Sequence, residues 1–148
     1  MVKKEPKKIP PKEGVETKKA ERYTEGVGRR KTVVARVRLV SGHGEFFVNK
    51  IKLADYFRVP RLRATALNPV EKLKLSDKFD VSAKVSGGGI VAQAEAVRLG
   101  LSRALALKNA DFKKRLRKLG FLTRDPRMVE RKKYGLKKAR RAPQWQKR

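Results

Sequence analysis

The chain is predicted to fold as an α+β body, a small sheet with helices packed on it, followed by a long extended basic tail that has no core of its own. Three observations carry this. Two stretches, 33–40 and 79–86, alternate apolar and polar residues with the period of a half-buried strand. Residues 90–105 instead repeat apolar side chains every three or four positions, as one stripe of a helix does. Residues 131–148 hold nine Lys or Arg, no acid, and almost no apolar periodicity.

Length and charge set the frame. The 148 residues leave room for one domain. Lys and Arg number 41 against 14 Asp and Glu, a formal net charge of +27. The excess divides as +4 over residues 1–22, +10 over 23–110 and +13 over 111–148, so about half of it lies in the last quarter. A free protein so charged repels itself, and a polyanion is the natural partner, nucleic acid being the commonest. Cysteine is absent, which excludes a disulfide framework and thiolate metal sites. No apolar run approaches the roughly 18 residues that a membrane span needs, and no membrane partner is expected. Residues 1–22 are Lys, Glu and Pro without an apolar centre, so they read as a disordered basic lead-in rather than a secretory leader. The acids Glu5, Glu13, Glu16 and Glu21 count against a mitochondrial transit peptide, and a cytosolic address fits best.

The body is expected over residues 23–122. Val33, Ala35, Val37 and Leu39 alternate onto one face of a strand, with Arg36 and Arg38 on the other. The turn residues 41–44, SGHG, then predict a hairpin with a second strand over 45–48. Gly26 and Gly28 before Arg29, Arg30 and Lys31 read as flexible backbone beside three cations, a non-specific grip on an RNA backbone. Residues 53–57 form a short helical turn. Pro60 opens the next helix, Asn68-Pro69 should close it, and Leu73 and Leu75 pack locally. Phe79, Val81, Ala83 and Val85 face inward from the clearest strand. Gly87, Gly88 and Gly89 lead into the longest helix, either as a tight turn or as a place where helix N-terminal amides receive a phosphate. Asn109 or Asp111 caps a last helix carrying Phe112, Leu116 and Leu119, and Gly120 stops it.

Catalysis is not expected. His43 is the lone histidine and lies in a glycine turn. No nucleophile stands with a base, no spacing suits a metal, and no cofactor is implied. A nucleotide-using enzyme would need magnesium-binding acids at the triple glycine, and the nearest, Glu95, lies well along the helix. A free DNA-compacting protein is permitted by charge alone, but no apolar wedge supports it. The tail, residues 123–148, reads instead as an arm for RNA. Arg131, Lys132, Lys133, Lys137, Lys138, Arg140 and Arg141 meet phosphates, Tyr134 is spaced for a base to stack on, and Arg140 and Arg141 suit bidentate contact.

Several motifs together resemble the bacterial small-subunit ribosomal protein nine family. They are GRRKTVVARV at 28–37, Val48-Asn49, Leu53 with DYF at 55–57, and KFDV at 78–81. The triple glycine with Gln93, Ala94, Arg98, Gly100 and Arg103 follows, then LTRD at 122–125 and ERKKYGLKKARRAPQ at 130–144. The resemblance implies a body like the second domain of small-subunit ribosomal protein five, with a left-handed strand–helix–strand crossover. It implies a place in the head of the small subunit, bound to ribosomal RNA beside neighbouring head proteins. It also implies that the tail runs through RNA and that its last basic residues, here Lys147 and Arg148, reach the anticodon stem-loop of P-site transfer RNA during translation. Three features depart from the pattern: the lead-in 1–22, Pro126 where a small residue is usual, and Trp145-Gln146 where an aromatic and a serine are usual.

Overall fold

The computed structural model describes residues 23–146. It contains five strands and four helices in the order β1 (Thr24–Arg30), β2 (Val33–Ser41), β3 (Phe46–Val48), β4 (Ile51–Lys52), α1 (Leu53–Tyr56), α2 (Pro60–Lys72), β5 (Phe79–Ser86), α3 (Ile90–Lys108) and α4 (Ala110–Lys118). The strands form one mixed sheet in the order β1-β2-β5-β3-β4. The α+β class expected from the periodicities is therefore the class observed.

Alternation along β2 and β5 does what it predicted. Val33, Ala35, Val37 and Leu39 are buried, as are Val81, Ala83 and Val85, while Arg36, Arg38, Ser82 and Lys84 stand exposed on the opposite face. One face of the sheet is thus core and the other is open. Helix α3 packs along β1 and β2 on the core face, and α2 and α4 both pack against α3. Val97, Leu101 and Leu105 are completely buried there, together with Phe57 and Leu116. Leu73 and Leu75 join the same core rather than packing apart from it.

Three local expectations are corrected. Gly26 and Gly28 lie within strand β1, which pairs antiparallel with β2, and are not a loose loop. Each approaches α3 so closely that a methyl group would not fit. A Cβ on Gly28 would overlap the Ala96 carbonyl oxygen and lie 2.5 Å from Gly100 N, and one on Gly26 would lie 2.6 Å from Ala104 N. Here glycine serves close backbone packing, not flexibility.

The expected hairpin between residues 33–40 and 45–48 does not form either. Strand β2 pairs with β1 and β5, whereas β3 crosses to the far side of β5 and pairs parallel with it, Phe46 opposite Val81 and Val48 opposite Ala83. The SGHG turn therefore spans β5 instead of folding back. It is held by Asp80, whose Oδ1 accepts from the backbone N–H groups of His43, Gly44 and Glu45 at 2.8, 2.9 and 2.9 Å. Those bonds, the one from Glu45 foremost, keep the Asp80 carboxyl below its ordinary value.

Pro69 lies inside α2 rather than ending it. A proline at this depth removes one backbone bond, but Ala66, Pro69 and Val70 are all buried, and that burial outweighs the local penalty. From 123 to 146 the described chain forms neither helix nor strand.

Candidate nucleic-acid interface

The basic turn and the triple glycine, over fifty residues apart in sequence, meet at one end of the sheet. Strands β1 and β2 join through a two-residue turn at Lys31 and Thr32, with Lys31 at φ 49°. Val34 pairs with Ser86, so this turn abuts the segment that follows β5. A Cβ on Gly87 would lie 3.0 Å from Thr32 O, and one on Gly88 would overlap the Val33 side chain. Gly87 and Gly88 have φ of 79° and 57°, a left-handed pair that turns the chain sharply from β5 into α3. So the tight-turn reading holds at these two positions. Gly89 differs: it is the N-cap of α3 at φ −100°, has no side-chain cap, and has open space where a Cβ would point. The first α3 amides therefore face solvent near exposed Lys31, whereas Arg29, opposite Val34 in the register, stands on the open face of the sheet. Free N–H groups, the positive end of a 19-residue helix and the Lys31 cation form a surface suited to phosphate.

A hydrogen-bonded chain holds the glycine turn in place. Gln93 Nε2 donates to Gly87 O at 3.0 Å, and Tyr56 OH donates to Gln93 Oε1 at 2.8 Å. Asn49 continues the pairing of β5 with a side chain: Nδ2 donates to Val85 O at 3.1 Å, and Oδ1 accepts from Val85 N at 2.9 Å. Asn49 and Lys50 take φ of 50° and 70° in the β3–β4 turn, a pairing that Asn tolerates well. Asn49, Tyr56 and Gln93 all stand in the motifs that carry the family resemblance, but nothing in their spacing told that they bond to one another.

Arg30 does something other than face solvent. Its guanidinium bonds the Glu95 carboxylate on α3, and its Nη1 lies 2.8 Å from Asp125 Oδ2 at the root of the tail. Arg127 shares Asp125, with Nη2 at 2.8 Å from Oδ2. The Arg127 guanidinium is the main reason the Asp125 carboxyl sits far below the usual carboxylate range. The charge on Arg30 is thus spent on fixing where the tail leaves the body, beside the basic turn. Arg103 ties the same region inward, Nη1 donating to Val27 O at 2.6 Å.

Along the tail, Arg131, Lys132, Lys133, Tyr134, Lys137, Lys138 and Arg141 are exposed, as is Trp145. Arg140 forks onto Glu130, with Nε at 3.0 Å and Nη2 at 2.6 Å from its carboxylate oxygens. Both groups are largely exposed, so this pair is screened by water and holds the two side chains together only weakly. Lys147 and Arg148 lie outside the described residues, as does the lead-in 1–22.

Among the described residues no three His, Cys, Asp or Glu side chains gather as a metal site, and no helix is long and apolar enough to cross a membrane. Near the lone His43, Asp80 is engaged through Oδ1 by three backbone amides and so serves the turn. The family model described as ribosomal protein S9/S16 matches residues 28–148, from the basic turn to the end of the tail.

Proposed function

The chain belongs to the ribosomal protein S9/S16 family, and on that premise we propose that its tail reaches P-site transfer RNA from a body anchored in ribosomal RNA. Membership makes it a structural protein of the small ribosomal subunit that binds ribosomal RNA, and the family is structural rather than enzymatic. The further step to transfer RNA rests on one observation above others: the family match, residues 28–148, includes the whole of the acid-free arm.

Roles follow from position. Arg29, Lys31 and the open α3 N-terminus at Gly89 hold ribosomal RNA phosphates against the body, while Arg30 orients the arm through Asp125. Arg131, Lys132, Lys133, Lys137, Lys138, Arg140 and Arg141 neutralise phosphates along its path, and Tyr134 offers a face for a base. Lys147 and Arg148 contact the anticodon stem-loop by charge and help hold the reading frame. Eighteen extended residues span at most roughly 60 Å at about 3.3 Å each, ample for an arm to cross RNA to a distant site. With about nine tail cations each neutralising one phosphate, the logarithmic salt slope of that attachment is roughly −6 to −8.

The test is removal of Lys147 and Arg148. In ribosomes carrying the shortened chain, transfer RNA leaves the P site faster and frameshifting rises. Dissociation at the parent rate would refute the assignment.

A further inference from the structure

The open face of the sheet, opposite the one that α3 covers, carries a second cluster of cations. Arg36 on β2 stands directly opposite Lys84 on β5 in the antiparallel register, and Arg38 stands opposite Ser82. With Asn49 and Lys50 from the β3–β4 turn, these side chains line a concavity of about 490 Å³. Like charges placed directly across an antiparallel pair destabilise it. Acids nearby do not relieve the pair: Glu25 is engaged with Arg38 at 3.2 Å, and Asp80 is taken by the three loop amides. Among the described residues Arg36, Lys84 and Lys50 form no ion pair. A sheet that needed only to fold would not place Arg36 against Lys84, because any neutral pair would cost less. A bound polyanion removes the penalty and turns the repulsion into affinity.

We propose that this face is a second binding site for the phosphate backbone of ribosomal RNA, with Arg36, Lys84 and Lys50 as its cations and Ser82 as a polar contact beside them. The proposal rests on the family's RNA-binding role and adds a place for it. Charge complementarity selects the occupant. The concavity has three cations without acidic partners and no unengaged carboxylate, and Arg forks match phosphate oxygens two at a time. It follows that the body is gripped on two sides, at the α3 N-terminus and on the sheet.

Two measurements test this. The first compares the parent chain, an Arg36→Gln/Lys84→Gln double variant and a Lys31→Gln variant in binding the head-domain fragment of small-subunit ribosomal RNA. The double variant is expected to bind more weakly, with a salt slope shallower by about two, and Lys31→Gln shallower by about one. A Lys84→Glu variant places a carboxylate opposite Arg36; its thermal midpoint should equal or exceed the parent's while its RNA affinity falls, which separates binding from folding. The second introduces a photoreactive residue at Ser82 in assembled subunits, where crosslinks to ribosomal RNA are expected. An unchanged slope in the double variant, or crosslinks from Ser82 to a neighbouring protein or to nothing, would overturn the second site and leave the first intact. Failure of the parent chain itself to bind the fragment would overturn the RNA-binding role from which both follow.

Discussion

Replacing Gly28 by Ala probes the contact on which the body is built. Strand β1 can approach α3 only because two of its residues lack a Cβ. A methyl group on Gly28 would lie 2.5 Å from Gly100 N, where ordinary contact begins at 3.4 Å, and would overlap the Ala96 carbonyl as well. Backbone on both sides must therefore part by more than 1 Å. Helix α3 cannot move alone, since ten of its residues are buried and α2 and α4 both rest on it. Overpacking of this kind costs about 1–3 kcal/mol, and a backbone-to-backbone clash belongs at the upper end, about 3 kcal/mol. Alanine recovers about 0.4–1 kcal/mol by restricting the unfolded chain. The net loss is about 2 kcal/mol, a sizeable part of the roughly 5–15 kcal/mol that holds a domain folded. For a body of about 100 residues each kcal/mol moves the midpoint by about 4–8 °C, so Gly28→Ala should melt about 8–16 °C below the parent. Thermal unfolding followed by circular dichroism on the full chain reads this directly. Gly89→Ala is the internal control, because it meets open space at a permitted φ and should melt within about 2 °C of the parent. A Gly28→Ala midpoint as close to the parent as that of the control would refute the packing argument.

Gly89→Ala has a second reading. It puts a methyl group where a phosphate would approach the first amides of α3, so ribosomal RNA affinity should fall several-fold with stability kept; unchanged affinity would remove the helix terminus from the interface. Arg30→Ala frees the tail root from Glu95 and Asp125. Backbone order parameters of residues 123–127 should then drop from near the rigid value of about 0.85 toward about 0.6, as measured by nuclear magnetic relaxation, whereas unchanged values would show that the clamp does not set the exit. Asp80→Asn weakens the three-amide bond set that holds the β2–β3 connection. Because the Asp80 carboxyl is held below its ordinary value of 3.8, its contribution is complete above that pH and fades as the pH falls through the depressed value. The gap in melting midpoint between parent and Asp80→Asn should be constant from pH 7 to 5 and close in stronger acid. A gap that persists there would point to another cause.

What the sequence made legible depended on whether the information was local. Alternation in residues 33–40 and 79–86 located β2 and β5 and correctly divided Arg36, Arg38 and Lys84 from the core, because a strand's period of two is written in consecutive side chains. The α3 stripe was legible for the same reason. Pairing was not legible. That β3 joins β5 in parallel rather than β2 in a hairpin depends on Asp80 binding a loop some 35 residues away, and turn residues alone do not encode it. Gly26 and Gly28 were misread because flexibility and close approach leave the same letter in a sequence; only the position of α3 distinguishes them. Arg30 looked like its neighbours Arg29 and Lys31, yet strand alternation and two distant carboxylates turn it into a structural clamp. Pro69 ended a helix on local rules, and burial carried the helix past it. The convergence of the basic turn with the triple glycine is likewise a product of the sheet, not of any motif.

The most direct test of the central claim is photocrosslinking from position 145, with Trp145 replaced by a photoreactive residue, in assembled ribosomes carrying P-site transfer RNA. Trp145 is exposed and stands two residues before the terminal pair. The account predicts crosslinks to the anticodon stem-loop of that transfer RNA. Crosslinks to ribosomal RNA alone would contradict it, and would make the arm a strap for the subunit rather than a contact with the decoding ligand.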